Sequence, residues 1–261
     1  MFDYHMHSTV SFDGHDTPER MVKAALDAGL KEICFTDHID HEINVEKEIM
    51  VFDQEVYNKS YDCLEAAGLK IRKGMEYGLK PNNQLQLKED LKRRDFDFVL
   101  GSVHFVNEMD VYIEPYWEGK SVADAYREFM EETYTCVKNH DDFDVLGHLT
   151  FISKGRANPT KELLRYEEHR EMTDEILREL ARKGKGMEIN TSGVDRCGGF
   201  LPTVDFFRRF KELGGEIITI GSDAHTYDRV GQYSREACEI FKEVFGYVCT
   251  FEGRQPIFHK L

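Results

Sequence analysis

Short apolar runs alternate with longer amphipathic ones along this chain, and that alternation is the strongest constraint on its fold. Residues 2–6 read as a strand, and Thr17-Pro18 opens a helix that Gly29 closes. The apolar run 32–36 is a buried strand, followed by a helix over 53–67 that Gly68 ends. Strands at 69–79, 96–102, 144–148, 185–190 and 216–222 follow, separated by helices at 81–94, 121–139, 160–183 and 203–213, with a last helix at about 230–246. Seven strand–helix units of this kind imply parallel strands with right-handed crossovers. No Pro/Gly/Ser-rich linker or change of composition divides the chain, so all of 1–261 is expected to be one domain. The longest irregular stretch, 105–119, is aromatic-rich and holds the only tryptophan, as lids and binding loops often do.

The polar residues fall at the ends of the strands. His5 and His7 end the first, His38 the second, Glu76 the third, His104 the fourth, His148 the fifth, Asn190 the sixth, and Asp223 with His225 the seventh. In a closed β/α barrel all of these ends meet on one face. Residues scattered over the whole sequence would then line one pocket, and His, Asp and Glu together are what a metal cluster requires. His5-Met6-His7 and Asp223-Ala224-His225 are i, i+2 pairs, so both members of each point to the same side of a strand.

The segments FDYHMHSTVSFDG, FTDH, GME, LGSVH, LGH and IGSDAH, in that order from residue 3 to residue 225, resemble the polymerase and histidinol phosphatase (PHP) superfamily of metal-dependent phosphoesterases. The resemblance implies an α/β fold, a distorted, TIM-like (β/α)7 barrel with the metal site at the C-terminal ends of the strands. It implies two or three divalent transition-metal ions, zinc, iron or manganese. One site resembles His5, His7, Glu76 and Asp223; a second shares Glu76 and adds His104 and His148; a third is Asp13, His38 and His225. Where some members carry histidine at position 13 this chain has aspartate, an oxygen ligand that suits iron or manganese, and His15 competes for the role. By the same resemblance, Glu76, Asp223 and His225 are expected to carry the catalytic role. Length and the later motifs look most like the stand-alone histidinol-phosphatase branch, which implies hydrolysis of L-histidinol phosphate in histidine biosynthesis.

Substrate contacts are expected from Arg156 and Arg196, on the loops after strands five and six, where arginine suits a bidentate grip on phosphate and the family places similar residues. His41, just past TDHID, is either a phosphate contact or a loop histidine. Tyr112, Tyr116 and Trp117 either cover the substrate or pack the loop, and Glu108, Asp110 and Glu114 are expected to be solvated, as are His140, His169 and His259. The expected partner is a small phosphorylated molecule. A net charge of −15 disfavours nucleic acid, and so a nuclease of the same superfamily. A phosphotyrosine-protein phosphatase would need a more open site, and a non-catalytic metal-binding module is at odds with a complete ligand set. The N-terminus lacks a signal-peptide pattern and no apolar run is long enough for a membrane helix, so a cytoplasmic protein is expected. The six cysteines form no C-x-x-C pair and are expected to be free thiols.

Overall fold

The computed structural model describes residues 1–41 and 50–261. Seven parallel strands, β1 (Phe2–Met6), β2 (Glu32–Phe35), β3 (Lys70–Gly78), β4 (Phe98–Ser102), β5 (Val145–Leu146), β6 (Gly186–Asn190) and β7 (Ile218–Gly221), lie side by side in sequence order. A two-residue strand, His38–Ile39, continues the β2 side of the sheet against the upper part of β3. Helices α1 (Pro18–Asp27), α2 (Gln54–Tyr61), α3 (Gln84–Asp90), α4 (Val122–Asn139), α5 (Arg170–Arg182), α6 (Val204–Glu212) and α7 (Ser234–Val244) follow the strands. The architecture is the expected distorted (β/α)7 barrel, nearly closed. None of the described helices is long and apolar enough to cross a membrane, and the cysteines are free thiols.

Closure between β7 and β1 is made at one end only. Met6 pairs with Ala224, Asp223 N donates to His5 O at 2.8 Å, and His7 N donates to Ala224 O at 2.9 Å. A side chain stitches the rest of the seam. The fully buried Asp3 carboxylate accepts from Ser222 N at 2.9 Å, Ser222 Oγ at 2.5 Å and Gly231 N at 2.8 Å. A register shift between Asp3 and Met6 breaks the strict alternation of β1, so that Tyr4 joins the packed lumen while His5 reaches the polar face.

Inside the barrel Tyr4, Cys34, Phe98, Leu100 and Val145 form a core separate from the larger one beneath the helices. Phe251 completes it. That residue belongs to an antiparallel hairpin, β8 (Tyr247–Glu252) and β9 (Gln255–Lys260), which the count of seven units leaves out. The hairpin covers the N-terminal mouth. Phe251 N and O both bond Tyr4 Oη, at 2.9 and 3.0 Å, and Arg254 Nε binds Asp144 Oδ2 at 2.6 Å, just before β5.

Several expected helices are shorter than their patterns suggest, among them those expected at 81–94 and 230–246, which span Gln84–Asp90 and Ser234–Val244. α2 stops at Tyr61, short of residue 67. The helix expected from residue 160 begins at Arg170, after a 3₁₀ turn at Tyr166–His169. The cause lies at Asn158, whose side-chain oxygen takes the N–H groups of Thr160 and Lys161, at 3.1 and 3.2 Å, and so competes with helix formation. The 105–119 stretch is also ordered. Phe105–Val106 and Met109–Asp110 pair across Asn107 and Glu108, both left-handed, and Glu114–Trp117 forms a helical turn.

Truncating the plug tests its weight. Phe251→Ala should destabilise the fold by about 3–5 kcal/mol, read as a lower urea midpoint at unchanged slope. A loss under about 1 kcal/mol would deny the hairpin a part in the barrel core.

Candidate metal centre

All nine side chains expected as metal ligands converge on the C-terminal face, held by β1, the turn that follows it, the His38–Ile39 strand, β3, and the segments after β4, β5 and β7. Glu76 is at the centre, 1% exposed. Its Oε1 faces His148 Nε2 at 2.9 Å and His104 Nε2 at 3.3 Å, while Oε2 faces His5 Nε2 at 3.2 Å, His38 Nδ1 at 3.3 Å and His7 Nε2 at 3.5 Å. Asp223 Oδ1 lies 3.5 Å from both His5 Nε2 and His7 Nε2. Asp13 Oδ2 meets His225 Nε2 at 2.9 Å and His38 Nε2 at 3.5 Å. Asp13 rather than the exposed His15 therefore enters the cluster. His7 stacks between His38 and His225, with ring centroids 4.5 and 4.2 Å away.

The donors group by proximity as His5, His7 and Asp223; as His5, Glu76 and His148; and as His7, Asp13, His38 and His225. His104 groups instead with His38 and Asp40. Asp40, unmarked in the sequence reading, grips both rings from behind, at 2.9 Å from His104 Nδ1 and 3.1 Å from His38 Nδ1. Glu188 does the same on the other side, accepting from His148 N at 2.7 Å and meeting His5 Nδ1 at 2.8 Å. Such carboxylates fix the orientation of metal-binding imidazoles. Gly221 makes room for this: a Cβ there would stand 2.0 Å from Glu188 Oε1 and 2.4 Å from the Cβ of His5. Asp223 adopts a left-handed backbone at φ 53°, which aspartate tolerates better than most residues. His225 Nδ1 and the Asp223 carbonyl, 2.9 Å apart, brace the turn.

Burial works against charge at every one of these groups, and neighbours decide the outcome. Burial depresses His5 most strongly, yet Glu76, Glu188 and Asp223 outweigh it and hold the ring well above the ordinary imidazole range. His38 behaves alike through Glu76 and Asp13. At His104, burial is outweighed by Asp40 and Glu76, and the pKa rises to about 10. Burial wins at His7, helped by His225 and His38, and takes it down to about 3. Burial of Glu76 is overcome by His5, His38 and His104, which keep it well below the carboxylate range.

Among the described residues, several buried donor atoms have no hydrogen-bond partner: His7 Nδ1, His148 Nδ1, Asp13 Oδ1 and Glu76 Oε2. A carboxylate oxygen surrounded by imidazole nitrogens at 3.2–3.5 Å without a hydrogen bond is suited to a cation between them. Nitrogen and oxygen donors in this mix fit zinc, iron or manganese.

The other expected residues are spread around the mouth. Arg196, on the short helix Val194–Cys197, donates Nη1 to Tyr112 Oη at 2.5 Å, and Tyr112 stacks on Phe151, which packs against His148. Arg156 is exposed on the loop after β5. His41 is not gathered into the cluster; its Nε2 lies 2.6 Å from Asp90 Oδ2 on α3. Tyr116 and Trp117 are buried and pack the loop, donating to Ala125 O and Val111 O. Glu108 pairs with Lys80, and Asp110 accepts from Tyr112 N. His140, expected in solvent, is buried, its ring nitrogens 2.8 Å from Cys136 O and from Asn83 Oδ1. His169 and His259 are half-buried rather than free in solvent.

The sequence profile of the PHP domain family matches residues 3–192. The chain belongs to that family. Within the PHP family, a histidinol-phosphatase from Lactococcus lactis is 32% identical over 257 residues, 96% of this chain and 94% of the relative. A crystal structure of histidinol phosphate phosphatase from Lactococcus lactis, complexed with zinc, L-histidinol and phosphate, matches with a TM-score of 0.89 at 29% identity and covers 98% of both chains. A structure of metal-dependent tyrosine phosphatases from Bacillus subtilis and Streptococcus pneumoniae shares the fold, at 18% identity and a TM-score of 0.53 over 94% of this chain and 88% of the other.

The charge pattern sets a pH signature for chelator-stripped protein. Raised His5, His38 and His104 stabilise the fold fully below about 6.5 and lose that effect as pH rises through their folded values, about 10 for His104. Depressed Glu76 and His7 act the other way, losing their contribution as pH falls through the acid range. Metal-free protein should therefore melt at its highest temperature near pH 6 and less stably at pH 9, and added zinc should raise Tm most at pH 9, where protons no longer compete for the imidazoles. A metal-free Tm that climbs from pH 6 to pH 9 would contradict this balance.

Proposed function

We propose that the chain is a metal-dependent phosphomonoester hydrolase, a histidinol-phosphatase that converts L-histidinol phosphate and water into L-histidinol and phosphate. One observation carries this reading. The full barrel matches that of an enzyme captured with zinc, L-histidinol and phosphate, and its strand ends present the buried His, Asp and Glu cluster described above. In this reading 1–261 is one catalytic domain, cytoplasmic, serving a late step of histidine biosynthesis.

His5, His7, Glu76 and Asp223 would hold one divalent ion, Glu76 with His104 and His148 a second, and Asp13 with His38 and His225 a third. Bound ions supply Lewis acidity and lower the pKa of a coordinated water to about 7. The chain's own residues do the rest. Glu76, with one oxygen toward each half of the cluster, keeps the two halves in register. Arg156 and Arg196 bind the phosphoryl oxygens as charge builds on them. Tyr112 holds Arg196 in place beforehand, which reduces the ordering needed when substrate binds. His41 can take part only by leaving Asp90.

Turnover of L-histidinol phosphate, an aryl phosphate, a phosphotyrosine peptide and a dinucleotide tests the assignment. Histidinol phosphate should lead in kcat/KM by about a hundredfold or more, since buried polar contacts reject analogues that leave them unpaired. A dinucleotide or phosphopeptide as best substrate would overturn the substrate while leaving the metal cluster. Glu76→Ala should lower activity by about a thousandfold or more and release more than one ion per chain by elemental analysis. Retention of full metal content by that variant would show that Glu76 is not shared.

A further inference from the structure

Of the three proposed ion sites, one depends on a loop. Asp13 lies in the turn after β1, next to the exposed Phe12, whereas its partners His38 and His225 follow the strands on either side, β2 and β7. On the β7 side the loop is tied by backbone, His15 N donating to His225 O at 2.9 Å. On the β2 side the ties are made by side chains. Ser11 Oγ accepts from His38 N at 3.1 Å, and Asp37 Oδ1 accepts from Ser8 N at 2.9 Å. The loop folds back on Ser8 so tightly that a Cβ at Gly14 would stand 1.8 Å from the Ser8 carbonyl oxygen.

The bond from Ser8 N is one side of a buried ring. Tyr61, the last residue of α2, meets Asp37 Oδ2 through its hydroxyl at 2.5 Å and Ser8 Oγ at 2.6 Å. A carboxylate only accepts, so the phenol gives its one hydrogen to Asp37 and takes that of Ser8. Ser8 Oγ also accepts from Val10 N at 3.2 Å. Ser8, Asp37 and Tyr61 are all buried. Among the described residues no lysine or arginine neutralises Asp37, and a buried carboxylate of that kind is costly to keep. Packing does not require it, because the Tyr61 ring is already held by Phe35, stacked at 4.6 Å, and by Tyr57, edge-on at 4.7 Å. The hydrogen-bonded ring joins two stretches that carry metal donors. Ser8 follows His7 and opens the loop to Asp13, and Asp37 immediately precedes His38.

We propose that Tyr61, acting through Asp37 and Ser8, is a positioning residue for the third ion. The ring fixes the loop 8–13 against His38, so that Asp13, His38 and His225 stand together as one donor set. The proposal rests on the three-ion reading above and extends it to residues that touch no ion. The donors of the other two ions are held differently. His7 N donates to Ala224 O across the barrel seam, Asp223 N donates to His5 O, and Glu188 and Asp40 grip the rings of His5 and His104. Loss of the ring should therefore disturb one ion and spare two.

Tyr61→Phe removes one hydroxyl and keeps the aromatic contacts; Asp37→Asn keeps the shape and breaks the ring at a second point, which covers the case of one variant failing to fold. Metal-free full chains are titrated with zinc and, separately, with manganese by calorimetry, and bound ions are counted by elemental analysis. In both variants one of three ions should bind about 10- to 100-fold more weakly, the usual cost of losing a group behind a metal ligand, with the other two unchanged. Hydrolysis should fall at limiting metal and recover in excess metal, a rescue that a purely structural role does not give. Three ions of wild-type affinity in a folded variant overturn the proposal. So does equal weakening of all three, which would make the ring a support for the whole barrel. A wild type that takes up only two ions of either metal overturns the three-ion reading and the proposal with it, and this outcome is read from the wild type alone.

Discussion

One buried carboxylate organises the active face. Glu76 has imidazoles on both oxygens, contributed by four separate stretches of chain, and no water-exposed route to relieve its charge. Removing an ion from water carries an effective penalty of several kcal/mol unless partners compensate. Here the compensation is mutual. Four of the imidazoles are oriented by a second carboxylate or carbonyl, Asp40 for His38 and His104, Glu188 for His5, and the Asp223 carbonyl for His225. The cluster is therefore a stiff cage set for cations, and its own electrostatics are only partly balanced without them. The barrel tolerates the imbalance because its apolar core lies elsewhere, in the lower lumen and beneath the helices.

The seam between β7 and β1 bears the same mark. Backbone pairing there is reduced to a bridge at the ligand end, and the residues that make it, His5, His7 and Asp223, are also donors of the cluster. Closure of the barrel and assembly of the site are thus one event at this point. Asp3, which holds the rest of the seam through Ser222 and Gly231, is a structural carboxylate that keeps the two functional ends in register.

The barrel and the strand-end residues were legible in the sequence for one reason. Alternation locates the strands, and parallel strands bring their ends together, so His5, His38, Glu76, His104, His148 and Asp223 needed no long-range contact information. Residues that act through another residue carried no such signal. Asp40 reads as one more polar residue at the end of TDHID, and Glu188 as one charge in an apolar strand, although a carboxylate on a fully buried strand was itself a clue. The overlong helix at 160–183 failed at Asn158, where a side chain competes for backbone donors. His140 looked solvated because the stretch around it is polar, but its ring is caught between α4 and Asn83.

The hairpin across the N-terminal mouth bears on the order in which the molecule can mature. Tyr4 and Phe251 meet across 247 residues of sequence, the kind of distant pairing that slows folding because a very long loop must close first. During synthesis, strands β1 to β7 emerge with the bottom of their lumen open to water, and the nascent barrel stays unsealed until Phe251 leaves the ribosome. A chain halted between His225 and β8 would carry every side chain of the cluster and still lack its floor, so the residues of the site are all present before the barrel can hold its shape.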